Sequence, residues 1–413
     1  MKLDKLLNGI SIKKIVGKQD VEIKDVVIDS KDVTTNSLYV CIKGKDYDGH
    51  DFVDNVVSYG CVAIVAEREL DTSVTQIIVE NSRSVMSELA SNFYDNVDKK
   101  MKLVAVVGTN GKTTTCYLLH KALNKLGKKS SYIGTLGFYI DEKIRDLNNT
   151  TPDILSLYNI IFDAIEKKVD VIVMEVSSHS LSYGRINGIK FDVAGFTNLT
   201  EDHLDYHKTV DNYIKAKKMF FDLLGKDAFM VTNLDDKHGL VMAQNTKAKV
   251  KTYSLRSMSD FKGKLLESGF DGMLMDINGQ EVFLRFIGKF NASNLLAVYG
   301  TACMLGKAPV DVLTVMSTLI PVNGRFDALR SPEGYTAIVD YAHTPDALAN
   351  VLTTIVDVLA GTGNIITVVG AGGNRDKGKR PLMAQESVKY SDKVILTSDN
   401  PRFEEPMDIL AAI

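Results

Sequence analysis

Apolar residues along this 413-residue chain gather in short runs set between polar turns. In the first hundred residues "SLYVCI" and "CVAIVAE" have the length and β-branched content of strands, and "DFVDNVVSYG" between them has helical spacing. A charged stretch, "NVDKKMK", then leads into "LVAVVG", a run that ends on a glycine turn and is followed by a helical pattern. "VDVIVMEV" and "FDVAGFT" are apolar at nearly every position. Such runs suit strands of a parallel sheet covered on both faces. Helical stretches such as "DNYIKAKKMFFDLL" alternate with them. The pattern predicts an α/β chain, doubly wound. A turn-rich stretch, "PVNGRFDALRSPEG", interrupts it. The alternation then restarts through "YTAIVDY", "TPDALANVLTTIVDVL", "NIITVVGAGGNRDKGKR" and "DKVILTSDN". Three domains are expected, at 1–99, 100–330 and 331–413. The third is short for a domain and stops inside a helical pattern, "PMDILAAI".

Composition adds exclusions. Hydrophobic residues make up 45% of the chain and the net charge is −3, so there is no basic footprint for nucleic acid or an anionic membrane. The N-terminus "MKLDKLLNGISIKKIVGK" lacks the apolar core of a signal peptide, and no apolar run is long enough to span a bilayer. Cys41, Cys61, Cys116 and Cys303 are scattered without metal or redox spacing. They read as reduced thiols of a cytoplasmic protein.

The chemistry-bearing residues sit at strand ends. "VAVVGTNGKTTT" resembles a phosphate loop with altered spacing: the position of the usual first glycine is Val106, and the glycine comes at Gly108. Strand, glycine turn and helix are the right context. Backbone N–H groups of Gly108, Thr109, Asn110, Gly111 and Lys112 are expected to face phosphate oxygens at the positive end of the helix. Lys112 would reach the β/γ phosphates, and the Thr113 hydroxyl, followed by Thr114, would sit on Mg²⁺. Glu175 ends the strand "VIVMEV", where α/β proteins bind ligands, and suits a second magnesium ligand. "TNLTEDHLDYH" offers Glu201, Asp202, His203, Asp205 and His207 as a metal candidate, and spacing leaves open which histidine binds. Lys217 in "YIKAKKMFF" reads, by itself, as an exposed helical lysine.

Taken together, "GTNGKTTT", "MEVSSHSL", "TNLTEDHLDYH", "GKFNASNLLA", "NGRFD", "DYAHTPDAL" and "GAGGNRDKGKRPLM" resemble the Mur ligases of peptidoglycan synthesis, over essentially the whole chain and in the right order. "SDNPR" and "IDSKDV…LYVCIKGKDYDGHDF" are most similar to the members that add the third residue of the peptide. The resemblance implies an N-terminal UDP-substrate-binding α/β domain, a central phosphate-loop ATPase domain with a mostly parallel sheet, and a C-terminal Rossmann-like domain, here incomplete. It implies ATP, two Mg²⁺ ions, UDP-MurNAc-L-Ala-D-Glu and a diamino acid, in a cytoplasmic monomer that engages neither nucleic acid nor membrane. Thr113 and Glu175 would hold one ion, Glu175 and His203 the other, and Lys217 would be carbamylated. Thr150, Thr151, Ser177 and Arg185 resemble contacts to the muramoyl dipeptide, and Ser30 a contact to the UDP-sugar. Asn291, Arg325, Asp340 and His343 would close over the nucleotide. The incoming amino acid would meet Arg380, Asp399, Asn400, Pro401 and Arg402. An arginine fork matches the extra carboxylate of meso-diaminopimelate, so that substrate is expected before L-lysine. Family members run several dozen residues past "DNPR", which implies a chain stopping short of the family's length. A nucleotide-binding protein without ligase activity is the alternative from another class.

Overall fold

Each apolar run of the sequence becomes a strand whose neighbours explain its composition. The computed structural model describes residues 1–44, 47–200 and 204–413, apart from the side chains of 204 and 205. Five short strands come first: β1 (Lys14–Val16), β2 (Asp25–Val27), β3 (Ser37–Val40), β4 (Ala63–Ala66) and β5 (Thr75–Ile78). They form a sheet in the order β1-β5-β4-β3-β2, parallel except for β1.

The central sheet holds β6 (Lys102–Val107), β7 (Ser130–Gly134), β8 (Gly137–Tyr139), β9 (Lys143–Arg145), β10 (Val171–Val176), β11 (Val193–Phe196), β12 (Phe229–Asn233), β13 (Lys249–Ser254), β14 (Phe261–Gly269), β15 (Gly272–Ile277) and β16 (Gln280–Leu284). Their order is β16-β15-β14-β13-β12-β11-β6-β10-β7-β8-β9. The run from β14 to β7 is parallel, and antiparallel strands finish both edges. Side chains alternate across a strand. Leu103, Ala105 and Val107 of β6 therefore enter one core, while Val104 and Val106 enter the other. Both faces are dry, which is why "LVAVV" has no polar position. The first core also takes in Leu38, Val40, Met86 and Leu89, so the N-terminal sheet and one face of the central sheet share a single apolar cluster. The second is covered by helices Lys112–Lys125 and Lys289–Met304.

After the turn-rich stretch, β17 (Asp327–Arg330) pairs antiparallel with β18 (Thr336–Val339), and β19 (Ile366–Ala371) pairs parallel with β20 (Lys393–Ser398). "YTAIVDY" thus opens no parallel β/α unit with the later strands. It folds back on the strand before it, because "SPEG" makes a tight turn in which Ser331 N–H donates to Tyr335 O at 2.8 Å. This hairpin straddles residue 331. Helix Pro345–Leu359 starts where its sequence dictates, with Pro345 in the first turn and the Thr344 hydroxyl accepting from Ala347 N–H at 3.2 Å. Among the described residues no helix is long and apolar enough to cross a membrane.

Candidate active site

Strand β6 delivers the chain to Gly108, and helix Lys112–Lys125 begins four residues later. Two glycines make the turn possible. A Cβ on Gly108 would collide with the Thr197 hydroxyl, and Gly111 has φ +82° with the Asn294 amide against it. The loop is then pinned to the exit of β11. Thr109 N–H donates to Asn198 O at 2.8 Å, and Asn110 N–H to Asn198 Oδ1 at 2.9 Å. Those two N–H groups, expected to face phosphate, are already satisfied by Asn198. The start of the helix, whose first-turn N–H groups have no intrahelical acceptor, is the part of the loop suited to an anion. Lys112 Nζ folds back onto Gly108 O (3.0 Å) and Thr109 O (2.7 Å).

Glu175, one residue from the end of β10, is 1% exposed. Oε1 accepts from Tyr132 OH at 2.5 Å and Thr135 N–H at 2.9 Å. Oε2 accepts from Thr113 OH at 3.0 Å and Thr135 OH at 3.3 Å. A buried carboxylate needs such donors. Its contact with Thr113 bridges the strand end and the phosphate loop. Both groups are hard oxygen donors, the set that suits Mg²⁺. His203, with Glu201 and Asp202, lies outside the described residues; among the described ones no group of three or more His, Cys, Asp or Glu is placed to hold a metal.

The neighbouring band forms a continuous network. Thr151 OH donates to Glu175 O at 2.9 Å and accepts from Ser177 N–H at 3.0 Å. Ser177 caps helix Ser178–Ser182 through Ser180 N–H at 3.2 Å. Arg185 donates to Thr151 O at 2.9 Å, and the Thr150 and Thr135 hydroxyls lie 3.2 Å apart. Ser30 opens a one-turn helix after β2 and is not among the described residues lining the main cleft.

Lys217 is the clearest departure from a residue-by-residue reading. It is fully buried, not exposed, on helix Val210–Asp222. Its Nζ donates to Tyr213 OH at 2.6 Å and to Thr109 OH at 3.1 Å, and lies 4.1 Å from the Tyr213 ring centre. It backs directly onto the phosphate loop.

From the other side comes the hairpin β17–β18. Arg325 donates to Thr113 OH at 3.2 Å and its guanidinium lies over the Tyr341 ring at 4.4 Å. Asp340 accepts from Phe326 N–H and Ala342 N–H, each at 2.7 Å, and burial pushes its carboxyl above the usual range. Asn291, buried, donates to Ile287 O at 2.9 Å, and His343 Nδ1 lies 3.0 Å from Tyr341 O. Thr113, Glu175, Asn291, Arg325, Asp340 and His343 all line one cleft of about 1840 Å³.

The same cleft reaches the carboxyl ends of β19 and β20, where open α/β sheets bind ligands. Arg402 and Asp399 line it. Arg402 holds φ +53°, uncommon for a non-glycine residue, and donates to Gly373 O at 2.9 Å; Gly373 N–H returns to Asn400 O at 2.9 Å. Gly373 packs so closely under Pro401 that a Cβ has no room. Arg380 lines the same cleft, and its guanidinium is paired within the protein. It is 1% exposed, and its fork is filled by Glu404, with bonds of 3.0 and 3.1 Å, while Nη2 also reaches Gly372 O at 3.1 Å. Arg380 laces the two loops together. Arg375, passed over in the sequence, is exposed and lines the cleft.

Three consecutive segments match domains of one family: 22–94 the Mur ligase family catalytic domain, 106–302 the Mur ligase middle domain, and 324–413 the Mur ligase glutamate ligase domain. The chain belongs to the Mur ligase family. A relative from Phocaeicola vulgatus, named UDP-N-acetylmuramoyl-L-alanyl-D-glutamate–2,6-diaminopimelate ligase, is 57% identical over 99% of this chain and 85% of its own length. One of the same name from Bacillus velezensis is 39% identical over 99% of this chain and 86% of its own. A solved structure, again of a ligase so named, superposes with a TM-score of 0.76 at 29% identity, covering all of this chain and 85% of the other. The matched segments put the glycines of this Mur ligase's short phosphate loop in the middle domain and the Arg402 loop in the glutamate ligase domain.

Proposed function

We propose that this Mur ligase uses ATP to join meso-2,6-diaminopimelate to the D-Glu γ-carboxylate of UDP-MurNAc-L-Ala-D-Glu. One observation carries the reading: the phosphate loop, the Glu175 band and the Arg402 loop line a single cleft, so a nucleotide, an acid and an amine have a common meeting place. The names of relatives 39–57% identical over nearly the whole chain support the choice of substrates.

The D-Glu carboxylate takes the γ-phosphoryl group of ATP, giving an acyl phosphate and ADP. The diaminopimelate amine then attacks the acyl carbon, the C–N bond forms, the amine loses a proton and phosphate leaves. Two anions must approach each other, so the site must neutralise charge as well as orient it. Lys112 swings from its carbonyl partners to the β/γ phosphates. The helix N-terminus orients the phosphates, and Arg325 covers them. Mg²⁺, as two ions, would supply further charge neutralisation; Thr113 and Glu175 would hold one, Glu175 and His203 the other. Asn291, Asp340 and His343 face the adenosine. Thr150, Thr151, Ser177 and Arg185 hold the peptide end of the muramoyl substrate, and Ser30 its UDP end. A carbamate on Lys217 would turn a buried cation into an anion behind Thr109. Arg402 receives the distal carboxylate of diaminopimelate, with Asp399, Asn400 and Pro401 shaping its loop. Arg375 is an exposed guanidinium lining the cleft there, and Arg380, which also lines it, positions the loop through Glu404. We assign segments 1–99, 100–330 and 331–413 to UDP-sugar, ATP and amino-acid binding, in a monomer of the cytoplasm.

The test is phosphate release measured with ATP, the UDP-dipeptide and each amino acid in turn. Turnover should require the dipeptide and prefer diaminopimelate to lysine by at least about tenfold, the factor that 1.4 kcal/mol of discrimination gives. Dipeptide-independent ATP hydrolysis would overturn the ligase reading, and a preference for lysine the amino-acid assignment.

A further inference from the structure

Glu175 is held asymmetrically, and the source of that asymmetry lies on the neighbouring strand β7. Its Oε1 takes the two shorter bonds, 2.5 Å from Tyr132 OH and 2.9 Å from Thr135 N–H; its Oε2 has only the longer ones to the Thr113 and Thr135 hydroxyls. The geometry points to Tyr132 as a positioning residue: its phenol fixes Oε1 so that Oε2 faces Thr113 and the phosphate loop. Tyr132 is suited to this by its own surroundings. It is fully buried on β7, and its ring is wedged edge-on against Tyr117 at 5.4 Å and Tyr139 at 5.8 Å between centres. Its oxygen also accepts from Leu136 N–H at 3.3 Å, so the phenol has a fixed direction in which to donate. β7 and β10 are in parallel register through Ile133 and Met174. That brings Gly134 beside Glu175, and a Cβ there would strike both Glu175 Oε1 and the Tyr132 oxygen. The glycine keeps the space in which the two side chains meet. An outer hydrogen-bond partner of a metal-binding group typically controls metal affinity by 10–100-fold.

The inference rests on the reading of Glu175 as a magnesium ligand, and the experiment separates the two. Isothermal titration of the full chain compares ADP affinity in EDTA with affinity in Mn²⁺. In Tyr132→Phe, which keeps the ring and its edge contacts, Mn²⁺·ADP should bind at least about tenfold more weakly while metal-free ADP binds as in the wild type. A residue that merely supports the fold would weaken both. In a Glu175→Gln background the same change should add less than about twofold, since its effect runs through the carboxylate. Thr135→Val, which removes only the longer of that residue's two bonds to Glu175, should lose no more than about threefold. Equal losses in the wild-type and Glu175→Gln backgrounds, unchanged Mn²⁺·ADP affinity in Tyr132→Phe, or a tenfold loss in Thr135→Val would overturn the inference. A wild-type chain whose ADP affinity ignores Mn²⁺ would overturn the metal reading of Glu175, and this inference with it.

Discussion

Glu175→Gln separates what the carboxylate does for the fold from what it does for chemistry. The amide is nearly isosteric with the acid. Its oxygen can keep the two short bonds, from Tyr132 OH and Thr135 N–H. Its NH₂ then takes the place of Oε2, 3.0 and 3.3 Å from the Thr113 and Thr135 hydroxyls. A hydroxyl is both donor and acceptor, so both threonines can turn a lone pair toward the amide. All four contacts survive, and only their charge assistance is lost. The stability cost should then stay within about 1 kcal/mol, a melting shift of no more than about 4 °C. Catalysis loses the negative charge that faces Thr113. Removing one such electrostatic element typically costs about 3–4 kcal/mol in the transition state, or about 10²–10³ in kcat. The assay is phosphate release with all three substrates saturating and Mg²⁺ in excess, beside a thermal melt. A variant that melts normally and turns over within about tenfold of wild type would refute the assignment of Glu175. Glu175→Ala is a poorer probe, since it strips two strong donors of their acceptor and mixes folding with chemistry.

Lys217→Ala should cripple turnover, and a small added carboxylic acid should partly restore it if a carbamate is what the side chain carries; full activity without rescue would remove that role. Arg402→Ala should lose at least about tenfold in selectivity for diaminopimelate over lysine, read as the ratio of kcat/KM values, because a charge-assisted pair is worth at least about 1.5 kcal/mol. The Arg380 hydrogen bonds hold the Glu404 carboxyl down at about 2 against an ordinary 4.5. A depressed folded-state value stabilises fully above pH 4.5 and is lost as the pH falls towards 2. Glu404→Gln should therefore flatten the acid limb of the unfolding profile in that window, and an unchanged limb would count against the pair.

The parallel core was legible because burial on both faces leaves a signature in one dimension: "LVAVV" has no polar position and "VIVMEV" only Glu175 near its end, and both runs lie buried within β6 and β10. The hairpin β17–β18 was not, since a strand pattern says nothing of its partner, and "YTAIVDY" reads alike whether its neighbour runs parallel or antiparallel. The phosphate loop announced itself through glycines, whose placement is a backbone requirement. Lys217 and Arg380 show the opposite limit. Each looks like an ordinary charged residue at a helix surface, yet both are buried, because each is received in part by another segment of the chain: Lys217 by Thr109 as well as by Tyr213 on its own helix, and Arg380 by Glu404. A lysine's own neighbours in sequence cannot reveal that. Only the resemblance to a family picked out Lys217, and it picked out Arg380 without the Glu404 partner that the fold brings to its fork. Tyr132 had no signal at all, as a tyrosine in a strand is first of all an apolar ring. What turns it into part of the site is the absence of a side chain at Gly134, one strand away from Glu175, which lets a phenol and a carboxylate meet in the dry interior behind the phosphate loop.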